Sequence, residues 1–270
     1  EDDFGTASVD PTSLIIMTMC QIYNVQSEIV QAYFPFLVDI PSIKVRNSTI
    51  VGKRKLLEYI IERTGQNLHF NERQRNKLHL YIKYFMDNFG RPFEFHCWTN
   101  KTNYVYAIDA WYTCVIPFPF SIIYLHYKKR EFERKFNATT CTHSESFMST
   151  KYDDALVCLE DFNNLLKDGR TYIYHNIPSY LDAVVYSYLS IAMKLPLSNP
   201  SLTYMIYRNF WLVEYVNRLS DKYFPHVPNR FKYVNPTLGP YGRMADMHFM
   251  IYGITAISVV LLYCYLRNVL

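Results

Sequence analysis

The residues of this chain best suited to nucleophilic or metal chemistry are six cysteines and eight histidines. The cysteines stand at Cys20, Cys97, Cys114, Cys141, Cys158 and Cys264, irregularly spaced and with no CxxC, which indicates neither a zinc cage nor a disulfide framework. They read as reduced, mostly packed thiols. No histidines form an HExxH or comparable pair, and Cys141 and His143 are an isolated pairing in a polar stretch. No glycine-rich loop offers a cradle for phosphate. Asp153 and Asp154 open a helical pattern, where carboxylates complement the helix dipole. Ser8, Thr12 and Ser13 surround another helix start, where hydroxyls act mainly as caps. No catalytic, cofactor-binding or metal-ligating residue is assigned. The chain reads as a non-enzyme with no cofactor and no small-molecule substrate.

The net charge of +4 gives no footprint for nucleic acid, so the function is sought in the elements and their surfaces. Half of the residues are hydrophobic and only eight are glycine, a composition that favours helix. Asp10 and Pro11 start a helix, with the carboxylate as cap and proline in the first turn, whose inward face is Leu14, Ile15, Thr18 and Ile22. Strand patterns fall near residues 4–8 and in SEIVQAYF, SIKVRN and TIVG. The helix GKRKLLEYIIERTG follows, burying Leu56, Leu57, Ile60 and Ile61. The order β-α-β-β-β-α over residues 1–66 is a minimal thioredoxin-like α/β layout. Pro41 precedes the third strand, where such folds carry a cis-proline, so a cis Ile40–Pro41 bond is expected.

Residues 67–224 read as all helical. Asn71 and Gln74 form a capping box ahead of Leu78, Tyr81, Ile82, Phe85 and Phe89 at helical spacing. Tyr152, Ala155, Leu156, Leu159, Phe162 and Leu166 mark a second helix, and Ser179 with Asp182 caps a third. A fourth runs from about Ser201 to Tyr223. A thioredoxin-like domain ahead of an all-α domain is the architecture of a glutathione transferase. A proline-rich linker over 225–247 leads to an expected transmembrane helix at 248–267. Its 18 uncharged residues from Phe249 to Leu266 span about 27 Å as a helix, close to the ~30 Å hydrocarbon thickness. Phe249, Ile251, Ile254, Ile257, Val259, Val260, Leu261, Leu262 and Leu266 supply the apolar surface, and Arg243 and Arg267 flank it. The run reads as a tail anchor.

Three surfaces are candidates for binding. Trp111, Tyr112, Pro117, Phe118, Pro119 and Phe120 are either a core hinge or an aromatic patch for a partner. Lys128, Lys129, Arg130, Arg134 and Lys135 form either a solvated helix face or a contact for membrane lipids or an acidic partner loop. A groove around Pro41 and Lys53 is a third, suited to an extended polypeptide.

Specific stretches resemble the metaxins, a branch of the glutathione-transferase-like proteins. They are SVDPTSLIIMTMCQIYN, WTNKTNYVYAIDAWYTCVIPFPFSIIYLHYKKREFERKF, KYDDALVCLEDFNNLL and IPSYLDAVVYSYLSIAMKLPL, with YFP at Tyr223 to Pro225. The apolar run is similar to that of the family's tail-anchored branch. The resemblance implies a non-catalytic scaffold subunit of the mitochondrial outer-membrane sorting and assembly machinery, which supports assembly of β-barrel proteins. Its implied partners are a β-barrel assembly subunit and a second metaxin. Its implied topology places the soluble domains in the cytosol and a short tail in the intermembrane space. Where a working transferase carries an acid-Ser pair for its ligand, this chain has Gly52 and Lys53. The alternatives are a structural subunit of another mitochondrial membrane complex and a membrane-anchored glutathione-dependent enzyme.

Overall fold

The computed structural model describes residues 5–28, 30, 40–46, 48–64, 70–116, 120–137, 144–174, 176–197, 201–227, 253–255 and 257–259. Helix α1, Pro11–Ile22, starts where its cap dictates: Asp10 Oδ2 accepts from the Ser13 amide at 2.7 Å. It buries Leu14, Ile15, Ile16, Thr18, Met19 and Cys20, and the Thr18 hydroxyl donates to the Leu14 carbonyl. Residues 5–8 form a turn and bends, not the expected first strand. Thr6 Oγ1 donates to the Ser8 carbonyl and Ser8 Oγ accepts from the Asp10 amide, so local bonds take partners that a ladder would need. Of SEIVQAYF, only Ser27, Glu28 and Val30 are described, and none is in a strand.

The Ile40–Pro41 peptide is cis. Strands β1, Ser42–Val45, and β2, Ser48–Val51, follow as an antiparallel hairpin pairing Ser42 with Val51 and Val45 with Ser48. Opposed Ile43 and Ile50 pack against the core. Helix α2, Lys53–Thr64, fully buries Leu56 and Ile60, while Leu57 and Ile61 are half-buried. The described part of this region is thus two helices and a two-stranded sheet.

Helix α3, Glu72–Phe85, begins at the expected reciprocal Asn71–Gln74 bonds, both 2.9 Å. It continues through a wide π turn, Met86–Gly90, into α4, Arg91–Thr99. Pro92 has no N–H to close the preceding turn, which relaxes the helix there. Phe85, Phe89 and Phe93 run down the inner side as successive ring contacts. Short α5, Lys101–Asn103, a second π segment, Tyr104–Asp109, and α6, Ala110–Val115, lead to α7, Phe120–Asn137, and α8, Ser144–Leu166.

Helix α9, Tyr180–Lys194, is the axis of the molecule, buried at every position from Leu181 to Met193 and packed against α1, α3, α10 and α11. Its cap is also a tertiary junction. Fully buried Asp182 accepts from the Ile173 amide and Tyr215 hydroxyl with Oδ1, and from the Ser179 amide and hydroxyl with Oδ2. The single helix expected from Ser201 to Tyr223 is two, α10, Ser201–Tyr207, and α11, Phe210–Tyr223. The break is stabilised from outside, because Asn163 Oδ1 on α8 accepts from the Trp211 amide at 3.0 Å and the Leu212 amide at 3.4 Å.

A mostly helical body with a small two-stranded sheet fits a glutathione-transferase-like fold. No helix among the described residues is long and apolar enough to cross a membrane. The expected span therefore has no support here. Phe249, Ile251, Val260, Leu261, Leu262 and Leu266, with flanks Arg243 and Arg267, lie outside the described residues, whereas Ile254, Ile257 and Val259 are exposed.

Candidate functional site

A cleft of about 440 Å³ opens where the start of α1 meets α4, α7 and the end of α9. Asp10, Pro11 and Thr12 form one wall, and Arg91, Glu94, Cys97 and Trp98 of α4 a second. Tyr112 and, from α7, Lys128, Glu131 and Phe132 complete it. Its aromatic floor is rigid: Trp98 stacks on Phe132 at 4.7 Å and meets Tyr112 at 6.0 Å.

The electrostatics oppose thiolate chemistry. A helix start stabilises an anion through free amides and the positive dipole end, but here the Asp10 carboxylate already occupies the Ser13 amide. Glu94, which accepts from the Tyr188 hydroxyl, adds a second carboxylate. Burial depresses the pKa of Lys53, while the charges of Glu94 and Asp10 act the other way. Arg91 is held by Asp87 at 2.7 Å and Lys128 by Glu131 at 3.7 Å, so much of the wall charge is matched internally. The Cys97 thiol is pushed well above its ordinary range, first by burial and then by Glu94. Burial likewise pushes Cys158 up to about 12. Among the described residues no cluster of His, Cys, Asp and Glu could hold a metal ion. The arrangement can seat a mixed-charge polar segment beside an aromatic floor.

A family described as outer mitochondrial membrane transport complex protein, Tom37, matches residues 13–129, from α1 into α7, and so takes in much of the cleft wall. Curated relatives agree over a longer span. The metaxin-1 homolog of Caenorhabditis briggsae is 23% identical over 233 residues, covering 83% of this chain and 72% of that protein. Metaxin-1 of Bos taurus is 20% identical over 271 residues, covering 94% and 85%. Metaxin-1 of Homo sapiens is 20% identical over 231 residues, covering 82% of this chain and 49% of that protein, about half its length. Over residues 13–129 the chain is similar to the Tom37 family, and over most of its length it is similar to metaxin-1.

The residues of the expected surfaces do not all lie on the outside of the fold. Of the two readings, core hinge or partner patch, Tyr112 follows the first: it is buried between Trp98 and Tyr124, because α6 turns it inward to line the cleft. Trp111 is half-buried and packs edge-on against Tyr112 at 4.6 Å. Phe120 is exposed, and Pro117, Phe118 and Pro119 lie outside the described residues. The five cations of α7 do not share one face. Lys128 turns into the cleft, and Lys129 lies over the Tyr104 ring at 4.7 Å. Arg130 and Arg134 are exposed, and the Lys135 side chain is not among those described. Pro41 is half-buried.

One surface escaped sequence reasoning. Tyr204, Tyr207, Phe210 and Trp211 are all exposed around the α10–α11 break, with Arg208 among them. Four aromatics within eight residues were the available signal, hidden by reading the segment as one continuous helix.

Proposed function

We propose that this chain is a non-catalytic scaffold subunit of the mitochondrial outer-membrane sorting and assembly machinery, where it supports insertion and assembly of β-barrel proteins. The observation that carries this reading is the match of residues 13–129 to the outer mitochondrial membrane transport complex family. The cleft is in keeping with it: Asp10 puts a carboxylate at the helix start, and the Cys97 thiol is buried and pushed well above its ordinary range. The partners proposed are a β-barrel assembly subunit and a second metaxin, met through exposed faces of the helical domain. The amino-terminal region is a reduced thioredoxin-like unit, and the apolar run Phe249 to Leu266 is the membrane span, with the folded part on the cytosolic side.

Mass spectrometry of what co-purifies with the tagged chain from mitochondria in mild detergent tests this proposal. A barrel-assembly subunit and a second metaxin in near-equal amounts are expected. Stoichiometric recovery of a different membrane complex, without that barrel, would refute the assignment.

A further inference from the structure

Helix α7 has two sharply different sides. Ser121 and Leu125 are buried and Phe132 packs against the core. Helical geometry puts Ile123, Tyr127, Arg130 and Arg134 on the opposite side, in one stripe at i, i+4, i+7 and i+11. Ile123 is 55% and Tyr127 60% exposed, and exposed Phe120 begins the stripe. From Phe120 to Arg134 it runs about 21 Å. Exposed Ile122, His126 and Glu133 lie on one flank, and half-buried Glu131, paired with Lys128, lies on the other.

Among the described residues neither Arg130 nor Arg134 is in an ion pair, although other cations of α7 are held by the fold. The two arginines therefore present charge outward at one end of an apolar stripe. The stripe is the outer, convex side of a single helix, with apolar and cationic positions following one another along its axis. A protein hot spot instead centres its apolar anchors in a walled, desolvated pocket with a polar rim. Aliphatic side chains that enter below the headgroups, a tyrosine at their level and arginines that reach phosphates suit a planar anionic surface.

We propose that the outward face of α7, through Ile123, Tyr127, Arg130 and Arg134, lies on an anionic lipid bilayer surface. The inference deepens the outer-membrane reading and relies on it only for which membrane is met. It gives the folded part a defined orientation on the bilayer, set by charge complementarity between the arginines and the lipid phosphates.

The test uses the full chain reconstituted into vesicles of phosphatidylcholine, with or without phosphatidylserine, and a photo-reactive benzoylphenylalanine in place of Tyr127. Illumination should give lipid adducts, several-fold more in the anionic vesicles. The double variant Arg130→Glu/Arg134→Glu should lower them about tenfold with an unchanged unfolding midpoint. The same photo-reactive residue in place of Tyr204 on α10 should give few adducts. Absence of lipid adducts at position 127, or equal yields irrespective of lipid charge and of charge reversal, overturns the proposal. So does a protein adduct in place of lipid when the experiment is repeated in intact mitochondria, which would assign the stripe to an acidic partner. Failure of the outer-membrane reading is seen separately, by fractionation of the chain to another compartment while the vesicle result stands.

Discussion

Burial raises the pKa of Asp182, and hydrogen bonds from Ile173, Ser179 and Tyr215 act in the opposite direction. The S-x-x-D spacing made half of this arrangement legible, because the Ser179 bonds are local. The bonds from Ile173 and Tyr215 come from 9 residues before and 33 residues after, which no local pattern encodes. An amide in place of the carboxylate can accept at only one atom and turns its NH₂ toward existing donors. Asp182→Asn should therefore destabilise the chain by about 2–4 kcal/mol in urea unfolding followed by tryptophan fluorescence. A loss below ~0.5 kcal/mol would show that the junction is not needed.

Lys53 behaves differently. Its depressed pKa means that the folded state disfavours the charged form relative to the unfolded chain. The contribution of such a group is fully present above the unfolded lysine pKa and is lost as pH falls through the folded value. At neutral pH the buried charge is a cost, so Lys53→Met should raise the urea midpoint at pH 7. That advantage should narrow as pH rises through the folded-state pKa of the lysine toward its unfolded value. A pH-independent difference would assign the effect to packing alone.

Elements were legible to the extent that their signals are local. Asp10-Pro11, Asn71 with Gln74, and Ser179 with Asp182 each cap the helix they announce. The helical period also found the buried faces of α2, α3 and α8, although Leu57, Ile61, Tyr81, Ile82, Tyr152 and Leu156 are only half-buried. The absent strand at residues 5–8 and the break between α10 and α11 were not legible, since both depend on which polar partner wins. At the break that partner is Asn163, 48 residues before Trp211. Removing its oxygen leaves two amides at the start of α11 without this acceptor. Asn163→Ala should cost about 1 kcal/mol and speed hydrogen exchange at the Trp211 and Leu212 amides, with α9 unchanged. Unaltered exchange there would mean that the chain breaks at Asn209 for reasons of its own sequence.

At the scale of the whole molecule, the cleft was only partly readable, because α1, α4, α7 and α9 meet there from distant parts of the chain. The sequence drew attention to Gly52 and Lys53, but not to the inward turn of Tyr112 and Lys128. That inward turn takes two residues off the outer surface. It leaves the aromatic group at α10–α11 as a strong candidate for a protein contact, since Tyr, Trp and Arg dominate interface energetics. Tyr204 and Phe210 are 66% and 64% exposed, so truncating them takes little from the core. The variant Tyr204→Ala/Phe210→Ala should keep the urea midpoint within about 0.5 kcal/mol of the parent. Its recovery of co-purifying partners in mild detergent should nevertheless fall about tenfold, the loss expected when interface anchors are removed. Equal recovery would exclude these rings as anchors. A fall matched by lower stability would trace the loss to the fold, so the two readouts must be taken on the same preparation.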